Sequence, residues 1–202
     1  KSLVAVLMFE TKKTKSPIVI YGGRFQGGPG LHHYKTYEWL VKKFGRQNVY
    51  VVMTDVKGPQ SPFSFAERKK IWRKYGVASN RIVKVSSPYK ADEVTTTLPK
   101  GTPVVWGIGT KDAGRIAGGN YFLPFPKNND NLVGYDKNGY FIITPHISLK
   151  IKGKEMSGTQ IRKVLGSTKM SSKNKIETFK KIFGWYDKNI YNLVVSKLGG
   201  SL

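Results

Sequence analysis

Short apolar runs alternate along the chain with longer segments in which apolar residues recur at helical spacing. The runs predict β-strands at Ile18–Ile20, Asn48–Thr54, Ile82–Val85 and Pro103–Ile108. The segments between them predict helices at Tyr34–Phe44, Phe65–Tyr75 and, more weakly, Ala91–Leu98. Strands that alternate with helices in this way indicate βαβ units with right-handed crossovers. The pattern therefore predicts an α/β fold, a Rossmann-like parallel sheet with helices on both faces.

The second half of the chain is less regular. Residues Gly118–Gly139 are rich in Gly, Asn, Pro and aromatic residues, which favours an excursion from the sheet with a functional or flexible role. Strands are predicted at Tyr140–Thr144 and Ser148–Ile151, and Ser157 is a natural N-cap for a helix. Ser171–Leu198 predicts two amphipathic helices broken near Gly184. We divide the chain into an N-terminal linker (1–16), an α/β domain (17–166) and a C-terminal helical extension of that domain (167–202).

The charge and the lack of cysteine indicate which kinds of ligand or partner the protein can bind. The 202 residues include 35 Lys and Arg against 12 Asp and Glu, a net charge of +23, and no cysteine. The charge favours polyanionic partners such as nucleotides, nucleic acid or an acidic surface, and the missing thiols exclude disulfides and thiolate metal sites. Leu3–Phe9 is apolar but too short to span a bilayer. The expectation is a cytoplasmic protein that does not bind membranes.

A glycine-rich stretch, Tyr21–Tyr34, lies between the first predicted strand and the first predicted helix. Glycines let backbone N–H groups approach an anion, and the helix N-terminus adds the positive end of its dipole. Arg24, His32 and His33 can supply further donors. The stretch is typical of a phosphate site, although a flexible turn would use the same glycines.

Two later segments offer further candidate positions for a ligand. Ser157, Thr159 and Arg162 lie near the start of one predicted helix, which by the same physics is a second anion-binding position. Gly107–Gly109 and Asp112 follow the fourth strand. Ligands of open α/β sheets collect outside the carboxyl ends of the strands, so this loop and the first loop are expected to face one pocket.

Three motifs occur in one order: Gly23-Arg-Phe-Gln26 with a histidine at a helix start, Pro62–Arg68, and Met156–Arg162. Together they resemble the nucleotidyltransferase superfamily that carries HxGH and ISTxxR motifs. Within it the chain is most similar to the nicotinamide-mononucleotide adenylyltransferase and cytidylyltransferase-like branch, including members encoded by bacterial viruses. The resemblance implies transfer of AMP or CMP from an NTP to a phosphorylated acceptor, with release of pyrophosphate and with Mg²⁺ that arrives with the NTP.

The resemblance also assigns residues. It implies catalytic roles for His32, Arg24 and Arg162. Nucleotide- or phosphate-binding roles fall on Gly22, Gly23, Phe25, Gln26, His33, Ser157, Gly158, Thr159 and Asp112. We expect no metal site built from protein ligands, because the chain has three histidines and no cysteine.

The HxGH motif itself is altered. Without a gap, Pro29 stands where the family has the first histidine and Leu31 where it has glycine, and a one-residue insertion puts Gly30 and His33 in the two histidine places. Proline has no N–H to give a phosphate. This leaves open a catalytically silenced member of the fold with a structural role, in a virion or another assembly, or a role in binding nucleic acid.

Two further interpretations are weaker. A dinucleotide-binding Rossmann domain would need an acidic residue that closes the second strand, and Asp55 is the one candidate. The glycines of the first loop do not keep the spacing of that class. His146, at a predicted strand end, either lines the pocket or is structural.

Overall fold

A parallel sheet organises the molecule, and a computed structural model describes its residues 16–116 and 118–202. The sequence expectations for residues 1–15 lie outside the described residues. In the described part the large sheet has six strands in the order β3-β2-β1-β4-β6-β5, each parallel to its neighbours. The strands are β1 (Ile18–Gly22), β2 (Val49–Met53), β3 (Ile82–Lys84), β4 (Val104–Ile108), β5 (Phe122–Pro124) and β6 (Gly139–Ile143). The predicted Rossmann-like sheet is confirmed.

Helices cover both faces of the sheet, as the sequence predicted. They are α1 (Leu31–Phe44), α2 (Phe65–Lys74), α3 (Asp92–Thr95), α4 (Thr110–Ile116), α5 (Gly158–Leu165), α6 (Ser172–Phe183) and α7 (Lys188–Lys197). A two-stranded antiparallel hairpin, β7 (Lys150–Ile151) and β8 (Lys154–Glu155), precedes α5. No helix in the described ranges is long and apolar enough to cross a membrane.

Successive side chains of a strand point to opposite faces of the sheet, so a hydrophobic core forms on each face. In β1, Val19 and Tyr21 join a cluster that includes side chains from α1, α2, α5, α6 and α7, whereas Ile20 belongs to a cluster with Val94 of α3 and Ile116 of α4. Val19 and Ile20 are fully buried, so β1 is covered on both faces. This accounts for the continuous apolar runs in the sequence, because a strand buried on both faces needs apolar residues at every position.

The helix boundaries follow local capping chemistry. Ser64 caps α2 through its hydroxyl, which accepts a bond from the Glu67 amide, and the Glu67 carboxylate accepts one from the Ser64 amide at 2.8 Å. Ser157 and Gln160 form the same reciprocal pair at α5. Ser157 was predicted as an N-cap, and that prediction is confirmed. For α2 the sequence offered Ser61 or Ser64, and the structure identifies Ser64. Such caps typically stabilise a helix by about 1 kcal/mol.

Some predicted boundaries were wrong. The first helix begins at Leu31 and not at Tyr34, because Gly30 is the N-cap and the His33 side chain accepts the Gly30 amide. The irregular segment 118–139 contains the edge strand β5. The strand predicted at 148–151 is reduced to the two residues of β7, and the weak third helix shrinks to Asp92–Thr95.

The last two helices share the first core. Phe179 and Phe183 of α6 stack at 4.4 Å between ring centroids, and both are fully buried in the cluster that also holds Tyr191 and Val194 of α7. The predicted break between these helices is confirmed at Gly184, which adopts a φ of 79°. Residues 167–202 therefore pack as part of the same hydrophobic core as the sheet.

Candidate functional site

A cleft of about 1100 Å³ opens at the carboxyl edge of the sheet, beside the adjacent strands β1 and β4. The chain leaves β1 toward β2 on one side, and β4 leads toward β6 on the other, so the strand order reverses between them. Ligands in open parallel sheets bind at such a switch point. The expectation that the loops after the first and fourth strands face one pocket is confirmed, because residues 22–28 and 107–109 both line the cleft.

The glycine-rich loop after β1 forms one wall. Phe25 adopts a left-handed backbone (φ 45°), is 5% exposed, and packs against Tyr21, Trp72 and the His33 ring. Gly28 follows with a φ of 85° and donates its amide to the Phe25 carbonyl at 2.9 Å. Phe25 therefore lines the cleft chiefly as an anchor of the loop. An aromatic anchor in a left-handed conformation fixes the path of the neighbouring backbone amides.

Arg68 of α2 holds the loop from behind. Its guanidinium donates to the Arg24 carbonyl at 2.7 Å, to the Thr54 carbonyl at 2.5 Å and, through Nε, to the Ser64 carbonyl at 3.3 Å. The residue is 1% exposed, and burial lowers its pKa. Arg68 therefore ties the backbone that leaves β1 to the backbone that leaves β2.

The charge of Arg68 is not matched by a direct ion pair. Within residues 16–116 and 118–202, no carboxylate oxygen lies within 4.0 Å of its guanidinium. Asp55 and Glu67 act on it only as more distant charges. A buried cation that keeps its charge beside a cleft makes that cleft favourable for an anion.

The two histidines at the start of α1 are both uncharged near neutral pH. Burial lowers the pKa of His32 to about 4, and burial together with the His32 charge lowers the pKa of His33 well below its ordinary value. Nδ1 of His33 accepts the Gly30 amide at 3.1 Å, so the proton of that neutral ring is on Nε2. The His32 ring lines the cleft, and its Nδ1 has no hydrogen-bond partner in the described part of the chain.

The start of α5 reaches the cleft through Gly158 and Ile161. Arg162 links this helix to the glycine-rich loop, because its guanidinium donates to the Gln26 side chain at 3.2 Å and to the hydroxyl of Thr159 at 3.1 Å. The Ser157 hydroxyl is used in capping the helix. Arg162 therefore stands at the junction of the two predicted anion-binding positions.

Asp112 lies across the cleft, on α4. Its carboxylate pairs with the Arg115 guanidinium at 3.2 Å and accepts a long bond from the Tyr89 hydroxyl at 3.5 Å. Hydrogen bonding to Tyr89, with the nearby Asp112 charge, raises the pKa of Arg115. Trp106 of β4 also lines the cleft and donates its indole N–H to the Pro88 carbonyl at 3.0 Å. This end of the cleft therefore combines aromatic surface with a paired carboxylate.

The structure brings most of the predicted site residues together. The cleft is lined by Gly22, Gly23, Arg24, Phe25, Gln26, His32, His33, Asp112 and Gly158. Ser157, Thr159 and Arg162 do not line it, although Arg162 contacts Gln26, which does. His146 is also outside the lining; it is exposed and pairs with Glu155 at 3.0 Å.

Sequence reasoning missed Arg68, Arg115 and the loop 54–61, which forms a further wall. A signal for Arg68 was present: it lies three residues after Phe65 and four before Trp72, on the apolar side of α2. The cations lining the cleft are Arg24, Lys57, Arg68 and Arg115, and among the described residues Asp112 is the one carboxylate there. The cleft is therefore positive overall.

The side chains of the cleft limit how a Mg²⁺ ion could be bound there. The described residues contain no group of three His, Cys, Asp or Glu side chains that could hold a metal ion. Asp112, the one cleft carboxylate among them, is shared with Arg115. A Mg²⁺ ion bound beside Asp112 would have to take most of its ligands from water or from a bound anion.

Comparison with known proteins finds a likeness to solved structures. No protein-family model matches the chain, and no curated protein matches it. Among solved structures, a candidate nicotinate-nucleotide adenylyltransferase from Vibrio parahaemolyticus is similar over 89% of this chain and 99% of that one, at 16% sequence identity and a TM-score of 0.48. A likeness at this level says nothing of substrate or activity.

Proposed function

We propose that this protein transfers a nucleotidyl group, AMP or CMP, from an NTP to a phosphorylated acceptor and releases pyrophosphate. The observation that carries the proposal is the assembly of the cleft at the switch point of the sheet. There the glycine-rich loop, the start of α5 and four cationic side chains surround one volume of about 1100 Å³. A triphosphate and a phosphorylated acceptor bring several negative charges together, and a positive cleft bordered by glycine backbone suits them.

The roles of the side chains follow from their charge states. His32 is neutral, so its ring can donate one hydrogen bond to a phosphoryl oxygen. Arg24 and Arg162 are expected to neutralise charge on the phosphates, one from the loop and one from α5. Such a reaction needs no covalent intermediate, and most of the catalysis comes from alignment and preorganised charge. Mg²⁺, when bound with the NTP, would neutralise charge on the phosphate oxygens.

The altered HxGH motif does not obstruct the cleft. Pro29 is buried, and neither Pro29 nor Leu31 is among the residues that line the cleft. The Leu31 side chain instead packs near Gly184, where an added Cβ would lie 3.1 Å from Leu31 Cδ1. The two departures from the motif thus remove a potential ligand without filling the space that a phosphate would need.

A pyrophosphate-release assay tests the proposal. Purified protein is incubated with Mg²⁺, each NTP in turn and a panel of phosphorylated acceptors that includes nicotinamide mononucleotide. We expect pyrophosphate release with one combination of NTP and acceptor. The rate of release should be about 10²-fold lower in His32→Ala and in Arg162→Ala. Lys163→Ala, which alters the exposed neighbour of Arg162, is the matched control and keeps its rate.

Two results would contradict the proposal. The first is no pyrophosphate release from any combination while NTP binding is measurable by equilibrium dialysis. That result supports the silenced alternative, in which the fold binds a nucleotide without turnover. The second is equal activity in the wild type, His32→Ala and Arg162→Ala, because the reaction would then not take place at this site.

A further inference from the structure

A groove between α2 and α7 lies outside the cleft and has no role in the proposed reaction. It has a volume of about 520 Å³. Its lining includes Phe65, Lys69, Lys70, Arg73 and Lys74 of α2 and Asp187, the N-cap of α7. Pockets that hold a small organic ligand measure about 300–1,000 Å³. The groove is therefore large enough to seat a base with its phosphate.

The cations of the groove form two rows on one helix. Lys69 and Arg73 are four residues apart on α2, as are Lys70 and Lys74, so each row repeats after about 6 Å along the helix axis. Lys70 and Arg73 are exposed. A helix that presents cations in this way offers a track for successive phosphates.

The acidic side chains nearby pair with one cation of these rows, Lys74, and not with the other three. Asp187 pairs with Lys74, and Glu67 pairs with Lys197 at 3.0 Å. In the described part of the chain no carboxylate oxygen lies within 4.0 Å of Lys69, Lys70 or Arg73. Three cations of the groove are consequently available to an external anion.

One aromatic side chain lines the groove, and a second is exposed at the residue that precedes Asp187. Phe65 begins the row of Lys69 and Arg73, and the Lys69 ammonium lies 5.8 Å from the centre of its ring. Tyr186, next to Asp187 in the chain, is 40% exposed, and Lys180 lies 5.6 Å from its ring centre. Rings beside backbone-tracking cations are the arrangement by which proteins bind single-stranded nucleic acid without sequence preference.

We propose that the groove between α2 and α7 binds single-stranded nucleic acid, with Lys69, Lys70 and Arg73 on the phosphates and Phe65 against a base. The groove is separate from the nucleotide cleft, so this activity does not depend on the proposed transferase reaction. Each phosphate contact to a single strand adds about 0.7 to the slope of log Kd against log salt concentration. Three such contacts therefore give a slope of about 2.

The experiment measures binding of a fluorescein-labelled oligothymidylate by anisotropy over a series of salt concentrations. In the variant Lys69→Gln/Lys70→Gln/Arg73→Gln we expect the salt slope to fall by about 2 and the affinity at low salt to fall about 10–100-fold. The matched control, Lys90→Gln/Lys127→Gln/Lys137→Gln, removes the same charge from exposed positions outside the groove. It is expected to change the slope by less than half as much.

Several outcomes would overturn the proposal. They are no oligothymidylate binding by the wild type at low salt, equal losses in the two triple variants, or tighter binding of a duplex of the same length. Lys70→Gln alone should lower the slope by about 0.7, which keeps the test valid if the triple variant does not fold. Unchanged oligothymidylate binding in His32→Ala, together with unchanged pyrophosphate release in the groove variant, separates this site from the cleft.

Discussion

The starts of α1 and α5 both border the same cleft, but they are built differently. The α1 start has glycine as its N-cap, two neutral histidines and an aromatic cluster around Phe25. The α5 start is exposed, is capped by its own Ser157 and Gln160, and carries the cationic Arg162. The first is therefore part of the core, whereas the second can change without disturbing it.

This difference predicts where substitutions act. Changes behind the α1 loop should lower the free energy of unfolding, because buried backbone groups depend on the residues there. Changes at the α5 start should alter ligand contacts with little effect on folding. The predictions below run from the largest expected effect on stability to the smallest.

Arg68→Met should cause the largest loss in the free energy of unfolding. The substitution leaves the Arg24 and Thr54 carbonyls without the donor that now binds both. The relief of a buried charge offsets part of that cost, so we expect the free energy of unfolding to fall by about 2–4 kcal/mol. Urea denaturation monitored by tryptophan fluorescence measures it.

Arg73→Met, further along α2, is the matched control for Arg68→Met. Arg73 is exposed and donates one bond to the Val77 carbonyl at 2.9 Å. Its replacement should lower the free energy of unfolding by less than about 1 kcal/mol. Equal losses in the two variants would show that Arg68 does not hold the loop in the way that its hydrogen bonds indicate.

Gly28→Ala probes the same loop through its backbone. Gly28 has a φ of 85°, and an added Cβ would lie 3.2 Å from Ile71 Cδ1. We expect a loss of about 1–3 kcal/mol from backbone strain and crowding together. Thermal or urea denaturation of the variant gives the value.

Gly76→Ala separates the two contributions at Gly28. Gly76 has a similar φ of 83°, but a Cβ there would meet no atom within 4 Å. Gly76→Ala should therefore lower the free energy of unfolding by about 1 kcal/mol, from backbone strain alone. If Gly76→Ala destabilises the protein as much as Gly28→Ala, the close packing of the loop against α2 contributes nothing.

Acid should lower the free energy of unfolding through the two histidines at the start of α1. Both have a folded-state pKa below the ordinary value of 6.5, so the unfolded chain binds more protons as the pH falls below 6.5. The stabilisation is complete above pH 6.5 and is lost as the pH falls toward about 4, the folded-state pKa of His32. Because both side chains keep some exposure, we expect a combined loss of about 1–3 kcal/mol between neutral pH and about pH 5.

Urea denaturation across this pH range checks the prediction. His32→Gln should remove part of the pH dependence, whereas Lys35→Gln, an exposed change one turn along the same helix, should preserve it. A pH profile of His32→Gln that matches the wild type would show that His32 titrates normally in the folded protein.

The strands and the helix caps could be predicted from the sequence because their causes are local. Apolar runs identify strands that are buried on both faces, and the Ser64–Glu67 pair is visible as a serine followed three residues later by glutamate. The start of α1 was placed three residues late because a glycine N-cap completed by a histidine lacks the usual side-chain signal.

The function of Arg68 could not be predicted in the same way. Its partners, the Arg24 and Thr54 carbonyls, are 44 and 14 residues away in the chain. They become neighbours only when β1 and β2 pair in parallel. The same holds for the Arg162–Gln26 contact, which joins residues 136 apart. Contacts of this kind depend on strand order, which periodicity alone does not determine.

The Arg162–Gln26 contact also provides the smallest predicted effect, because it is the one side-chain bond by which Arg162 reaches the glycine-rich loop in the described structure. Arg162→Ala alone should change the free energy of unfolding by less than about 1 kcal/mol, and Gln26→Ala by a similar amount. A double-mutant cycle of the two should give a coupling energy of about 0.5 kcal/mol, because the bond is neutral on one side and partly exposed. A coupling energy above about 2 kcal/mol would contradict the distinction between the two helix starts, since the α5 start would then support the fold as firmly as the α1 loop does. A value near zero, with Lys163→Ala as the exposed neighbour for reference, would leave Arg162 free to turn toward a bound phosphate.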